Sequence, residues 1–337
     1  MQLMAVPTVT TSETEPKVYP LVTVIVPIYN GEADLPELVE RLLGQDYPAD
    51  RVEYLLVDNG SGDRTLQILQ AAAQTAAAQG IRLRALTYSA IQSSYAARNA
   101  GIAAAQGEIL AFTDADCQPE PGWLAALVQP FADDSIGLVA GEIKALPSRN
   151  WLERYADRQG TLSQHNTLNH AFLPYGQTAN LAVRAEILGT VGCFRPHLTT
   201  GGDADLCWRI QQETDWQLVY AADAVVYHRH RDSLKGLKSQ WYRYGCSNRY
   251  LHELHGVELT RSLTTQETRY RLLRWGLKEL PQATVKLLTG RGTALEMAIT
   301  PLDLWCAHAR SRGQAQAQLS DAARAIAPLE EPVECES

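Results

Sequence analysis

The sequence lacks the features that mark membrane-spanning and dinucleotide-binding proteins. No apolar run in its 337 residues approaches the roughly 18 residues of a spanning helix. The first 20 residues lack a basic start followed by a long apolar stretch, so we expect no secretory signal. No GxGxxG motif follows the first predicted strand, which disfavours a dehydrogenase.

Cysteine is scarce and scattered. None of the six cysteines forms a CxxC pair or a Cys/His spacing typical of zinc sites. We expect reduced thiols in a reducing compartment, and hence a cytoplasmic protein. The six are Cys117, Cys193, Cys207, Cys246, Cys306 and Cys335.

Positive charge is also in deficit, and it is unevenly distributed. The formal net charge is −8, which disfavours a nucleic-acid partner. Residues 229–312 nevertheless carry 15 Lys/Arg against 7 Asp/Glu, whereas the rest of the chain carries 15 against 31. This asymmetry predicts an acidic body and a basic segment with a partner of its own.

What is present is an alternation of buried strands and helices. The strands are predicted over 21–30, 52–63 (ending in a turn-rich tip), 81–89 and 108–117, with helices over 31–45, 64–80 and 94–107 between them. Such an order predicts an α/β fold with an open, mostly parallel twisted sheet flanked by helices. The predicted division is a disordered lead (1–20), an α/β domain (21–250), a basic amphipathic helical extension (251–312) and a flexible tail (313–337).

Polar residues follow the predicted strands, where open α/β sheets bind ligands. Asp114 and Asp116 follow the fourth strand at i and i+2, and such a carboxylate pair suits a divalent cation on a diphosphate. The alternative is a solvated acidic turn. Asp58 follows the second strand and could accept hydrogen bonds from a nucleoside, or could form an Asx turn with the glycines after it.

Further candidates lie in the second half of the chain. Asp203 and Asp205 follow a Gly pair at the start of a predicted helix. We assign Asp205 to an i,i+4 pair with Arg209 and keep Asp203 as the free carboxylate, a candidate general base. His228 ends a strand and could complete a metal site, although a single histidine often has no such role.

Together these segments resemble the glycosyltransferases of family two, which have the GT-A nucleotide-diphospho-sugar fold. The matching stretches run from about Val22 to Tyr244 and are VTVIVPIYNGE, LLVDNGSGDRT, YAARNAGIAAAQGEILAFTDADC, GQTANLAVRAEIL and GGDADLCWR. Two positions depart from the family pattern. Gly202 stands where many members carry Glu, and Tyr244 replaces the Trp that ends the QxxRW motif of processive members.

The resemblance implies a role for each matching residue. The nucleotide is held by Pro27, Tyr29, Asn30, Glu32 and Asp58, and Arg98 belongs to the donor site together with Asp114. The metal is held by Asp114 and Asp116, with Asp116 as the direct ligand, and His228 is our own addition to that set. The catalytic base is Asp203.

The implied function is metal-dependent, inverting transfer of a sugar from a nucleotide donor, UDP-sugar favoured, to an acceptor hydroxyl. Mn²⁺ or Mg²⁺ would be the cofactor, and the acceptor a carbohydrate or a lipid-linked molecule in polysaccharide or glycolipid synthesis. Two alternatives remain. A nucleotidyltransferase of the same fold is disfavoured by the acidic PIYNGEADLPE segment, and a degenerate module would bind the nucleotide sugar without turnover.

The basic segment contains a predicted amphipathic helix over 269–291. Tyr270, Leu273, Leu277 and Leu280 share one face, and Arg271, Arg274 and Lys278 share another. Such a helix fits the anionic cytoplasmic surface of a membrane. It fits equally a helix packed on the domain with a solvated basic face.

Overall fold

The computed structural model describes residues 6–10 and 19–329. They form two compact units. The first comprises residues up to 146, 162–229 and those from 320 onward, and the second comprises 147–161 and 230–319. This division differs from the predicted boundary at 250, because the helix that crosses this boundary packs along the helix over 295–316.

The first unit is built on one mixed sheet. Its strand order is β1-β9-β7-β8-β5-β2-β3-β4, and β6 pairs with β9. Strands β2, β3, β4 and β5 are parallel, and β8 runs antiparallel to its neighbours β5 and β7. The predicted mostly parallel sheet is confirmed. The strands are β1 (Thr8–Val9), β2 (Val22–Ile28), β3 (Val52–Asp58), β4 (Arg82–Thr87), β5 (Ile109–Thr113), β6 (Cys117–Pro119), β7 (Ile136–Ala145), β8 (Asn180–Arg184) and β9 (Gln217–His228).

Thirteen α-helices lie in the described residues, and α5, α9, α10, α11 and α12 belong to the second unit. A π-helix (Trp275–Glu279) joins α10 to α11. The α-helices are α1 (Leu35–Leu43), α2 (Thr65–Ala78), α3 (Ser94–Ala104), α4 (Trp123–Val128), α5 (Trp151–Arg158), α6 (Gln164–Leu168), α7 (Ile187–Val191), α8 (Gly202–Glu213), α9 (Leu234–His255), α10 (Thr265–Arg274), α11 (Leu280–Leu288), α12 (Leu295–Gln316) and α13 (Asp321–Arg324).

Apolar periodicity explains the first unit. Every residue of β2 and β3 is buried, as expected of parallel strands with both faces covered. On α1, Leu35, Leu38 and Leu42 are buried at helical spacing. The predicted strands and helices of the first half are therefore present where the pattern indicated them.

The two ends of the described chain differ from the prediction. Thr8–Val9 forms β1 and pairs with Tyr220–Ala221, so residues 6–10 are not a disordered lead. In the predicted flexible tail, α12 continues to Gln316 and the carbonyl of Ala327 accepts a hydrogen bond from the Cys193 amide at 2.8 Å. The segments around Thr8 and Ala327 are too short to show an apolar periodicity, so the sequence did not indicate that they pair with the sheet or with Cys193. Residues 1–5, 11–18 and 330–337 lie outside the described ranges.

The second unit is a helical assembly around Leu152, Tyr155, Leu237, Leu302 and Cys306. Helices α9 and α12 cross so closely that a Cβ on Gly245 would stand 1.9 Å from the Arg310 carbonyl oxygen. A side chain at that position would therefore force the two backbones apart.

The cysteines agree with the prediction of free thiols. Five of them are free and buried, and Cys335 lies outside the described residues. Among the described helices, none combines the length and apolar character needed to cross a bilayer.

Candidate active site

The candidate residues of the first unit meet at one edge of the sheet. Strands β2, β3 and β5 are parallel and end at Ile28, Asp58 and Thr113, so their carboxyl ends share an edge. Because β8 is antiparallel to β5, it begins at this edge, where Asn180 pairs with Thr113. We call this end of the sheet the carboxyl edge.

A tight loop at residues 58–63 forms one side of the carboxyl edge. Asp58 is buried, and its Oδ1 accepts a hydrogen bond from the Ser61 amide at 3.0 Å. Asn30 adopts a left-handed backbone with φ of +51° and binds the loop twice, through Ser61 Oγ and the Gly62 amide at 2.8 and 2.9 Å. The bond from Asp58 to Ser61 reaches the amide three residues on, one residue beyond that of an Asx turn, so the predicted turn with the glycines is not present in that form. Oδ2 of Asp58 has no hydrogen-bond partner within the described residues, which leaves it available to a ligand.

The other residues assigned to the nucleotide differ in whether their side chains are free to contact a ligand. Tyr29 follows β2 and is 55% exposed, so its ring is free to meet a ligand. Pro27 is buried within β2 and shapes the strand end only. Glu32 accepts hydrogen bonds from the Arg64 amide and Nε at 3.1 and 2.8 Å, and these bonds lower the pKa of its carboxyl group. Glu32 thus links two loops, a role that its sequence position did not indicate.

Arg98 and Asp114 form a close ion pair at the end of β5. The guanidinium of Arg98 is buried, and one of its nitrogens lies 2.5 Å from Asp114 Oδ1. Burial raises the pKa of Asp114, and the positive charge of Arg98 opposes this shift. The buried Nε of Arg98 lacks a hydrogen-bond partner in the described part of the chain.

A cluster of possible metal ligands lies beside this pair. Ligand atoms of Asp116, Cys117 and His228 all lie within 4.8 Å of one another, because β6 pairs Cys117 with His228. Asp114, predicted as a ligand, is not in this group and is held by Arg98 instead. Burial raises the pKa of the Cys117 thiol well above its usual value, so we expect Cys117 to remain a neutral thiol and a poor ligand.

The hydrogen bonds of His228 fit a metal ligand. Nδ1 lies 2.8 Å from the Arg229 carbonyl oxygen, which can only accept, so Nδ1 carries a proton. In the neutral ring, Nε2 then presents a lone pair to Asp116 Oδ1 at 3.3 Å. Two acceptors at this distance need a proton or a cation between them. An imidazole oriented by a backbone carbonyl, together with a carboxylate, is a donor set suited to a divalent transition metal.

Asp203 lies in the first turn of α8 and is held by Thr178. The Thr178 hydroxyl donates to one carboxylate oxygen at 3.0 Å, and the Thr178 amide donates to the other at 3.3 Å. Asp205 is fully buried between Arg209 and Arg195, at 3.1 and 3.0 Å. The predicted Asp205–Arg209 pair is confirmed. Asp203 forms no ion pair within the described residues.

Hydrogen bonds connect Asp203 with the end of β5. Ala179, next to Thr178, accepts a hydrogen bond from the Thr113 hydroxyl at 3.0 Å, and Thr113 precedes Asp114. The charge of Asp203 also contributes to the raised pKa of Asp114. The candidate base and the Asp114–Asp116 pair therefore lie at the same edge of the sheet.

The departure at Gly202 has a steric cause. The Gly202 amide donates to the Tyr95 hydroxyl at 2.9 Å, and a Cβ at this position would stand 2.7 Å from the Tyr95 ring. A glutamate cannot occupy this position unless Tyr95 moves. Neither Tyr95 nor Thr178 was singled out from the sequence, because both act through partners more than 20 residues away.

The sequence of this chain is similar to those of known glycosyltransferases. The model of Glycosyl transferase family 2 matches residues 23–195. Glycosyltransferase AglE of Haloferax volcanii is 33% identical over 223 residues, which is 66% of this chain and 71% of that protein. The pre-mycofactocin glycosyltransferase of Mycobacterium tuberculosis is 29% identical over 316 residues, which is 89% of this chain and 64% of that protein.

A third relative matches a shorter part of the chain. The undecaprenyl-phosphate 4-deoxy-4-formamido-L-arabinose transferase of Pseudomonas aeruginosa is 31% identical over 201 residues, or 57% of each protein. Across the three relatives, the matched part thus spans between 57% and 71% of their length.

Solved structures show the same fold. Mannosyltransferase PcManGT from Pyrobaculum calidifontis, solved with GDP-Man and Mn²⁺, has a TM-score of 0.61 at 20% sequence identity, covering 90% of this chain and 89% of that one. The predicted GT-A fold is confirmed. On its family match, its relatives and its fold, the chain belongs to glycosyl transferase family 2.

Proposed function

We propose that this protein transfers a sugar from a nucleoside-diphosphate donor to an acceptor hydroxyl, with inversion and with a divalent cation. One observation carries the proposal. A buried carboxylate (Asp58), a carboxylate–imidazole pair (Asp116 and His228) and a carboxylate without an ion pair among the described residues (Asp203) gather at one sheet edge. Membership of the family supports transferase activity as such.

The donor would lie along the carboxyl edge. Asp58 Oδ2 would accept hydrogen bonds from the nucleoside, and the exposed ring of Tyr29 would contact it. The guanidinium of Arg98, which is paired with Asp114 at the end of β5, would add positive charge near the diphosphate. Asp116 and His228 would hold the cation, Mn²⁺ or Mg²⁺. When bound, it would neutralise charge that develops on the leaving diphosphate.

Asp203 would act as the general base. As the acceptor oxygen forms its bond to the anomeric carbon, the bond from that carbon to the diphosphate oxygen breaks, and the acceptor proton passes to Asp203. Thr178 holds both carboxylate oxygens and so fixes the direction in which the base faces. A single displacement inverts the anomeric centre.

The donor and acceptor classes follow from the family resemblance and from the relatives. We favour a UDP-sugar, as the resemblance implies, although the structural neighbour PcManGT was solved with GDP-Man. The name of one relative includes undecaprenyl phosphate, which supports a lipid-linked or carbohydrate acceptor in polysaccharide or glycolipid synthesis. The reaction would take place in the cytoplasm, at the cytoplasmic face of a membrane.

A thermal-shift panel of UDP-, GDP- and dTDP-sugars, with and without Mn²⁺, tests the proposal. We expect one nucleotide class to stabilise the protein, and to do so more strongly with the metal. Turnover of that donor, with the anomeric configuration of the product read by NMR, tests the chemistry. Binding without turnover of donor would indicate a degenerate binding module, and pyrophosphate release from a nucleoside triphosphate would indicate a nucleotidyltransferase.

A further inference from the structure

The second unit exposes several large apolar side chains on α10 and the π-helix. Tyr270, Leu273 and Leu277 are 63%, 64% and 81% exposed, although they recur at helical spacing. On α11, Val285 and Leu288 are likewise exposed. We call these five residues the apolar face. Soluble proteins seldom leave such a set of apolar side chains open unless it meets a partner.

The segment is held to its own unit by other residues. The Trp275 Nε1 donates to the Met297 carbonyl at 2.9 Å, and the Thr300 hydroxyl donates to Glu279 at 2.5 Å. Ala283 is buried, and a capping box from Thr264 starts α10. The segment is thus packed through this inner side. The segment is therefore packed on its own unit, as the alternative expected, but the apolar face is not the side through which it packs.

The surroundings of the apolar face are basic. Residues 269–291 contain six Lys/Arg and a single acidic residue, Glu279, which is paired with Arg274. Arg269 and Arg271 flank Tyr270, and Lys278 follows Leu277, and all three side chains are exposed. The second unit carries 17 Lys/Arg against 9 Asp/Glu, so the positive charge of the chain is concentrated in it.

We propose that the apolar face docks on an anionic lipid bilayer. Leu273, Leu277 and Leu288 would enter the boundary between headgroups and acyl chains, and the flanking Arg and Lys side chains would contact lipid phosphates. A second copy docking through the same face would bring like charges together, which disfavours a symmetric dimer. The docking does not depend on sugar transfer and can be tested without a donor.

Flotation of the full-length protein with vesicles tests the proposal. Vesicles of phosphatidylcholine alone are compared with vesicles containing about 30% phosphatidylglycerol. We expect binding to the anionic vesicles, and at least about a fivefold loss in Leu273→Glu/Leu277→Glu and in Arg269→Glu/Lys278→Glu. Arg51→Glu/Arg82→Glu, which changes the net charge equally on the first unit, should bind as the wild type does.

Three results would overturn the docking. They are absence of wild-type binding, equal loss in the control pair, and concentration-dependent dimerisation abolished by Leu277→Glu. The melting curve of the Leu273→Glu/Leu277→Glu variant shows whether it folds. If it does not fold, the Arg269→Glu/Lys278→Glu variant tests the docking, because both of these side chains are exposed. A donor panel that fails while flotation succeeds would reject the proposed transfer and leave the docking intact.

Discussion

Asp203 and Asp205 lie two residues apart on α8, and their partners give them different chemistry. Both oxygens of Asp205 face guanidinium groups, so they are committed to ion pairs. Asp203 is held by a hydroxyl and an amide, which orient a carboxylate without neutralising its charge. Only Asp203 is therefore suited to accept a proton from a substrate.

Thr178 is expected to act as a positioning residue for Asp203. Thr178→Val removes the hydroxyl donor and keeps the amide donor, so we expect kcat to fall by about tenfold, the worth of one ordinary hydrogen bond. The Kd of the donor should be unchanged, because the hydrogen bonds of Thr178 go to Asp203, the proposed base. Thr178→Ser should restore most of kcat, and steady-state kinetics with donor titration measures all three variants. A raised donor Kd together with an unchanged kcat in Thr178→Val would contradict this role.

Metal binding at Asp116 and His228 is expected to weaken as the pH falls. Burial raises the pKa of the neighbouring Asp114, so it takes up a proton at a higher pH than an ordinary aspartate does. A cation at this edge requires ionised carboxylates and a neutral imidazole, and protons therefore compete with it.

Titrations of Mn²⁺ between about pH 8 and pH 5 measure this competition. We expect the affinity to be highest at the alkaline end and to be lost progressively toward the acid end. Asp114→Asn, which cannot ionise, should flatten part of the dependence. An affinity independent of pH would argue against carboxylate and imidazole ligands.

Some residue roles were predictable and others were not. The Asp205–Arg209 pair follows from i,i+4 spacing on a helix, whereas Arg195 joins it from a loop ten residues earlier. Glu32 was assigned to the nucleotide, yet it pairs with Arg64, because the partner is set by how two loops approach each other. Local spacing can predict contacts within an element but not between loops.

The start of α8 depends on its contact with α3. The Tyr95 ring of α3 occupies the space that a side chain at Gly202 would need. We expect Gly202→Ala to displace Tyr95, to cost about 1–3 kcal/mol of stability, and to lower turnover by moving Asp203. Gly189→Ala on α7 is the matched control, since a Cβ there meets nothing within 4 Å. Melting curves and kinetics measure both variants. Equal melting temperatures and equal turnover in the two variants would show that Tyr95 can move without loss of stability or activity.

Elements with strong periodicity were predictable, and those defined by tertiary pairing were not. The strands β2 to β5 and helices α1 to α3 follow from apolar runs and helical stripes. The antiparallel direction of β8 and the two-residue strand β1 depend on partners far along the chain. The π-helix over Trp275–Glu279 likewise has no signature in the composition.

The two compact units divide the charge of the chain more sharply than the sequence suggested. Outside the second unit the chain carries 13 Lys/Arg against 29 Asp/Glu, and the second unit carries 17 against 9. The acidic unit contains every candidate residue for the transfer reaction, and the basic unit contains the apolar face. The proposed donor chemistry and the proposed membrane contact thus belong to different units, and each proposal can be tested without the other.

The central claim is that Asp116 holds the cation and Asp203 acts as the base. Calorimetric titration of the best-stabilising nucleoside diphosphate, with and without Mn²⁺, combined with turnover assays, tests it most directly. The titration compares the wild type with Asp116→Ala and Asp203→Asn. We expect Asp203→Asn to keep the wild-type Kd while its turnover falls by about 10²–10⁴-fold, and Asp116→Ala to lose the Mn²⁺-dependent part of the affinity. Unchanged Mn²⁺-dependent affinity in Asp116→Ala, or turnover near the wild-type rate in Asp203→Asn, would contradict the account.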